Sequence, residues 1–235
     1  MERIGDQIWL GSTALPHDNP AAHQGQVFVD RLVDGKWERR ELPDELATGV
    51  RPYDITGAAP DDVYLAAATL KNGEPTSMLA HWDGKSWTIE ELPTPEDWAD
   101  TGWYPEEVAV SHGRIYFWGR PQDDTERLFV SQDAGKTWKH AETPFIGVTD
   151  TDVHPESGDL LVSQVPKPFE SETAVFDGET WTRYPRPAVI DYPSTAFSAA
   201  YVPGTDRMVA SILLANSTDQ PNRAKQYITT NTLVQ

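Results

Sequence analysis

The chain has 235 residues, a formal net charge of −18 from 37 acidic against 19 basic residues, and no cysteine. That balance argues against electrostatic binding to nucleic acid or an anionic membrane, no apolar run approaches the length of a membrane span, which argues against insertion, and the missing thiols exclude disulfides, thiolate metal sites and a cysteine nucleophile. Nine Trp, eight Tyr and seven Phe suit half-buried strands, while 19 Pro and 16 Gly supply turns.

From the N-terminus, MERI precedes DQIWLGS (6–12), an apolar run entered through a polar turn. The same kind of run returns as DDVYLAA (61–67), GRIYFWG (113–119), GDLLVSQ (158–164) and DRMVAS (206–211). Between these runs stands a second repeated feature, a turn followed by a tryptophan. It reads VDGKWERRELP (33–43), WDGKSWTIEELP (82–93), QDAGKTWKHAETP (132–144) and FDGETWTRYPRP (176–187), with Trp37, Trp87, Trp138 and Trp181 as anchors. Both features recur in the same order at roughly 45–50 residues, the spacing expected of a propeller blade.

Each unit reads as four short strands. In the third they are EEVAVS (106–111), RIYFWG (114–119), RLFVSQ (127–132) and TWKHAE (137–142), rich in aromatic and β-branched residues and bounded by turns. No window has the caps and period of a long helix. The expectation is an all-β chain, a single five-bladed β-propeller domain over 1–235, with units near 1–43, 54–93, 106–144, 147–187 and 195–235. The first unit is expected to lack its innermost strand. The last ends without a tryptophan strand, so its blade is incomplete or closed by the chain ends.

Ser131-Gln132-Asp133-Ala134-Gly135-Lys136-Thr137-Trp138 resembles the Asp-box, S-x-D-x-G-x-T-W, of sialidases and other propellers. The shorter copies, such as HWDGKSW (81–87), resemble the WDG-x-x-W turns of bacterial, especially actinobacterial, secreted propeller proteins. The resemblance implies blades, an extracellular setting and a tryptophan packed between blades. The sialidase catalytic set is an arginine triad, a Tyr–Glu pair and an acid/base Asp. The segment Phe/Tyr-Arg-Ile-Pro that opens that family is absent, and Arg114-Ile115-Tyr116 lacks both flanks, so no catalytic residue carries over.

Other motifs are turns. Gly84-Lys85-Ser86 and Gly135-Lys136-Thr137 lack the upstream glycine of a P-loop, because Leu79 and Val130 stand there. The six histidines never fall at metal-ligand spacing, although His17 and His23 share one loop. No cofactor is expected. Asp61–Asp62, Asp123–Asp124 and Asp150-Thr151-Asp152 leave room for a structural cation such as calcium.

Propeller sites sit in the loops of one face, an argument from fold analogy. The segments between blades, DELATGVRPYD (44–54), TPEDWADTGWYPEE (94–107) and AVIDYPST (188–195), read as such loops. With the loops between second and third strands they nominate Arg51, Tyr53, Trp98, Trp103, Tyr104, Arg120, Phe169 and Tyr192 as ligand-binding residues. Flat aromatic faces stack on sugar rings or other planar ligands, and arginines fix polar groups. These loops differ from blade to blade, which favours one asymmetric central site over five equal ones. The expected function is a monomeric binder of a glycan or other small planar, polar ligand. A glycoside hydrolase or lyase using Asp54, Asp191 or Glu106 is the alternative, and a protein-interaction scaffold a third reading.

Overall fold

A computed structural model describes residues 1–14, 25–47, 49–71, 74–96, 103–121, 127–144, 147–167, 170–185, 194–202, 204–205, 207–214 and 226–232. Among these, no helix is long and apolar enough to cross a membrane. The described residues form four four-stranded sheets and one three-stranded sheet, in which paired strands run antiparallel. By its contacts it divides into two compact units, Met1–His140 and Ala141–Gln235.

The first unit carries three sheets. In the first, β1 (Glu2–Ile4), β2 (Gln7–Ala14), β3 (Gln26–Val33) and β4 (Lys36–Arg40) pair in chain order. The innermost strand that the sequence reading had missing is therefore present. It was overlooked because it has three residues, paired Glu2 to Trp9 through Ile4 to Gln7. After one turn of helix, α1 (Asp44–Ala47), the second sheet runs through β5 (Val50–Ala59), β6 (Asp62–Lys71), β7 (Glu74–Trp82) and β8 (Trp87–Glu91). The third contains β9 (Trp103–Ser111), β10 (Arg114–Pro121), β11 (Arg127–Ser131) and β12 (Lys139–Ala141).

The second strands are apolar without alternation because both their faces are covered. On β6, Val63, Leu65 and Ala67 enter a cluster with Trp9, Val27 and Val29 of the first sheet. Tyr64 and Ala66, on the opposite face, enter another with Val108, Ile115, Phe117 and Phe129 of the third. The VYLAAA run is thus the middle layer of a three-sheet stack.

The second unit carries two sheets. β13 (Val148–Val153), β14 (Leu160–Lys167), β15 (Glu170–Phe176) and β16 (Trp181–Pro185) make the four-stranded one. β17 (Ser194–Tyr201), β18 (Arg207–Leu214) and β19 (Gln226–Thr232) make the three-stranded one. Leu161 and Val175 pack there against Ala199, Tyr201 and Met208.

The tryptophan turns use two chemistries. Between β3 and β4, Val33 pairs with Lys36, and Asp34 and Gly35 both take positive φ (50° and 75°). This is the two-residue hairpin geometry that suits the strand twist. In the other three an aspartate accepts backbone N–H groups across the turn. Asp83 Oδ1 accepts from Lys85 N and Ser86 N at 2.8 Å. Asp177 Oδ1 accepts from Glu179 N at 2.8 Å and Thr180 N at 2.7 Å. Asp133 Oδ1 accepts from Thr137 N, while the Ser131 hydroxyl accepts from Gly135 N, both at 2.8 Å.

The anchors differ in cover. Trp87 and Trp138 are half-buried against the two cores of the first unit, and Trp181 donates from Nε1 to the Glu142 carbonyl at 3.0 Å. Trp37, expected to pack between blades, is 52% exposed. It stands on the first sheet of the chain, on the face opposite that packed by the second sheet.

Candidate functional site

Two segments read from the sequence as loops carry the candidate residues on first strands instead. Arg51, Tyr53 and Asp54 lie within β5, and Trp103, Tyr104 and Glu106 within β9. These two strands carry Pro52 and Pro105. Each first strand is a sheet edge with one hydrogen-bonded partner, so a proline there forfeits no ladder bond when its ring faces the open side.

These strands share an irregularity that no residue pattern announces. On β5 the register skips between Pro52, opposite Ala67, and Asp54, opposite Ala66, which leaves Tyr53 as an extra residue. On β9 it skips between Pro105, opposite Gly119, and Glu107, opposite Trp118, which leaves Glu106. On β13 the extra residue is Thr149, and on β17 it is Phe197. A bulge re-aims the side chain it carries. At Tyr53 and Glu106 the bulges bring two sequence candidates into one group.

The residue after a bulge has a second task. Asp54 accepts Ile55 N at Oδ1 (2.8 Å) and Val108 N at Oδ2 (3.0 Å), joining β5 to β9. In the second unit, Asp150 accepts Ala199 N at 3.1 Å and Asp152 accepts Tyr201 N at 2.7 Å, joining β13 to β17. Burial raises the Asp152 carboxyl above the usual aspartate value, against the opposing hydrogen bonds from Tyr201 and Val153. Asp54, a candidate catalytic carboxylate, is thus hydrogen-bonded through both oxygens to backbone.

Five of the candidates meet on the first unit. The Tyr53 and Tyr104 rings lie with centroids 5.9 Å apart at 36°. The Arg51 guanidinium stands over Tyr53 at 5.1 Å from its centroid. Glu106 Oε1 pairs with Arg120 at 2.5 Å, and Arg120 lies opposite Tyr104 in the ladder. Arg51 is exposed and the others are half-buried, so the group borders solvent. Burial pushes the Tyr53 phenol up to about 12. Arg51 opposes that, and Tyr104 and Glu106 add to it. At neutral pH the phenol keeps its proton and works as a hydrogen-bond donor, not as a phenolate nucleophile.

Trp103 belongs to the core and presents no face to a ligand. It is fully buried, 5.2 Å from Phe129 in a stacked arrangement and 5.3 Å from Phe117 edge-on. Its carbonyl accepts the Ser77 hydroxyl at 2.6 Å, and its Nε1 donates to Thr94 at 3.2 Å. Trp98, Phe169, Asp191 and Tyr192 lie outside the described residues, as do His17, His23 and Asp123–Asp124.

Two groupings escaped the sequence reading. His81 stacks on Tyr64 with centroids 4.2 Å apart, and its Nε2 meets Asp62 Oδ1 at 2.7 Å. The partners sit on adjacent strands about twenty residues apart in sequence, beyond any local motif. On the first sheet, Leu10, Asp30, Trp37 and Arg39 line an open groove of about 560 Å³. There Arg39 is bound to Asp30 at 2.9 and 3.2 Å and lies 3.9 Å over Phe28. Among the described residues no group of three or more His, Asp or Glu could hold a metal ion.

No protein-family model matches the chain, and no curated protein matches it. Solved structures do match. The Trypanosoma rangeli sialidase in complex with 2,3-difluorosialic acid aligns at 12% identity and TM-score 0.54, over 92% of this chain and 42% of that one. A glycosyl hydrolase from Bacteroides ovatus aligns at 12% and 0.50, over 95% and 84%. YCF48 from Cyanidioschyzon merolae aligns at 13% and 0.50, over 94% and 74%. The chain spans less than half of the sialidase it matches. At these identities the likeness is one of fold: an all-β chain of antiparallel sheets matching β-propellers.

Proposed function

We propose that this chain is a ligand-binding β-propeller whose five sheets form one ring of five blades, and that its ligand is a glycan or another small planar, polar molecule. The site we assign contains Arg51, Tyr53, Tyr104, Glu106 and Arg120; Trp98, Phe169 and Tyr192 are candidates on the sequence alone. The observation that carries this reading is the tyrosine pair, 5.9 Å apart and flanked by Arg51 and the Glu106–Arg120 ion pair. Tyrosine rings present apolar faces to the C–H side of a sugar ring. Guanidinium, carboxylate and phenol groups around them match hydroxyls.

Binding is favoured over catalysis because the described carboxylates are already engaged, Asp54 by backbone N–H groups and Glu106 by Arg120. The five-blade ring is supported by the repeated tryptophan turns and by bulges at Tyr53, Glu106, Thr149 and Phe197. We place the protein outside the cell, like the secreted propellers its turns resemble.

A glycan array paired with a broad glycosidase screen tests the reading. Tyr53→Ala and Tyr104→Ala should each lower affinity for the best array ligand by about tenfold or more without turnover in any variant. Turnover lost in Glu106→Gln would move the protein to the hydrolase or lyase class. Binding unchanged in both tyrosine variants would remove this site.

A further inference from the structure

The sequence holds three Asp-Gly pairs, Asp34–Gly35, Asp83–Gly84 and Asp177–Gly178, each in one of the tryptophan turns. All three aspartates are exposed, so access to water does not separate them. Hydrogen bonding does. Asp83 Oδ1 is held by Lys85 N and Ser86 N, and Asp177 Oδ1 by Glu179 N and Thr180 N. Asp177 Oδ2 also accepts the Thr180 hydroxyl at 2.8 Å. Among the described residues the Asp34 carboxylate has no hydrogen-bond or ion-pair partner.

Space and backbone differ in the same direction. A Cβ on Gly84 would stand 2.8 Å from Asp61, whereas one on Gly35 would meet nothing within 4 Å. Asp34 takes a φ of 50°, in the left-handed region that residues with a side chain enter at a cost. Asp34 is thus an unheld carboxylate on a strained residue, followed by a glycine with open space around it. Glycine puts no side chain in the way of an attack by its own nitrogen.

We propose that Asp34–Gly35 is a self-modification site, at which the folded hairpin converts aspartate to β-linked isoaspartate, while Asp83 and Asp177 are protected by their turns. Gly35 N attacks Asp34 Cγ. The N–Cγ bond forms, a Cγ–O bond breaks, and the amide proton leaves with the carboxyl hydroxyl as water, which closes a succinimide ring. Water then adds to one of the two ring carbonyls. Breaking the N–Cγ bond restores aspartate. Breaking the bond from that nitrogen to the Asp34 backbone carbonyl carbon leaves the chain running through Cγ. The water lost is regained, and no other reactant takes part.

The hydroxyl leaves from the neutral carboxyl. Backbone N–H bonds, from Ser86 at Asp83 and from Thr180 at Asp177, hold those two carboxyls below the usual aspartate value, so the reactive form is scarcer there. Turning either Cγ toward its glycine nitrogen would also break the bonds across the turn. At Asp34 nothing is broken. The β-linkage adds one backbone carbon between Val33 and Lys36, so the product no longer has the two-residue geometry that suits the strand twist.

The full chain, aged at mildly acidic pH, tests this by peptide mapping with electron-transfer fragmentation, which tells isoaspartate from aspartate at equal mass. Deamidation at Asn72–Gly73 changes the mass and is distinguished by it. Conversion at residue 34 should run several-fold ahead of conversion at 83 and 177. In urea, where the turns are lost, the three sites should convert alike. Equal conversion at the three sites of the folded chain would overturn the proposal. So would a lead at residue 34 that persists in urea, or an Asp34 that stays intact when folded and converts only when unfolded.

Discussion

Gly119 of β10 packs directly against the Trp103 ring of β9, and the smaller residue makes room for the larger. A Cβ at Gly119 would stand 2.2 Å from the Trp103 ring, far inside contact distance. Gly119→Ala therefore forces the indole or a strand to move, at a cost of about 1–3 kcal/mol. Trp103→Ala empties the cluster instead and should cost about 3–5 kcal/mol. Urea denaturation of both variants checks this; a change within error for either would show that the indole is not a packed part of the core. Charge acts at the same scale in the tryptophan turns. Hydrogen bonds from Thr137 hold the Asp133 carboxyl below the usual aspartate value, and those from Ser86 and Lys85 do so for Asp83. Asp177 is lowered in the same way by Thr180. A lowered carboxyl contributes stability that is present above the unfolded value of about 3.9 and is lost as pH falls through the folded one. The melting temperature should thus drop on acidification below about pH 4, and less steeply in Asp133→Asn. An unaltered slope would mean that the turn does not discriminate between the two protonation states.

At the level of elements, the recurring device is a bulge followed by a carboxylate that bonds the next first strand. Asp54 to Val108 N and Asp150 to Ala199 N are its two parallel instances, one in each unit. Replacing Asp54 or Asp150 by Ala leaves a backbone N–H without its acceptor and should cost about 1–3 kcal/mol. The exposed Asp6→Ala should fall within about 0.5 kcal/mol of the parent. Equal denaturation midpoints for all three would refute the device. The sequence showed the strands, because aromatic and β-branched runs between turns are a local signal. It did not show the bulges, which are differences in register between two strands and leave no mark in either one alone. The first strands β5 and β9 tolerate Pro52 and Pro105 because each has only one hydrogen-bonded partner. Glu2–Ile4 was too short to carry any pattern.

For the molecule as a whole, the repeat was legible because it is written twice, in the tryptophan turns and in the apolar second strands. Sheet count and strand order followed from it, apart from the first strand. Arg51, Tyr53, Tyr104, Glu106 and Arg120, nominated from position, are neighbours in the structure. Trp103 was nominated by the same argument and is core, since an aromatic near a strand end reads alike whether it faces solvent or a neighbouring sheet. The half-exposed Trp37 went the opposite way, for its turn looks like those of its covered counterparts.

The central claim is one asymmetric site at the tyrosine pair. Titration calorimetry of the purified chain with its best array ligand tests it most directly, alongside Tyr53→Ala and Arg51→Ala. The account predicts one ligand per chain and an affinity lowered about tenfold or more in each variant, with unchanged melting temperatures. Several equivalents per chain, or an affinity that neither variant alters, would contradict it.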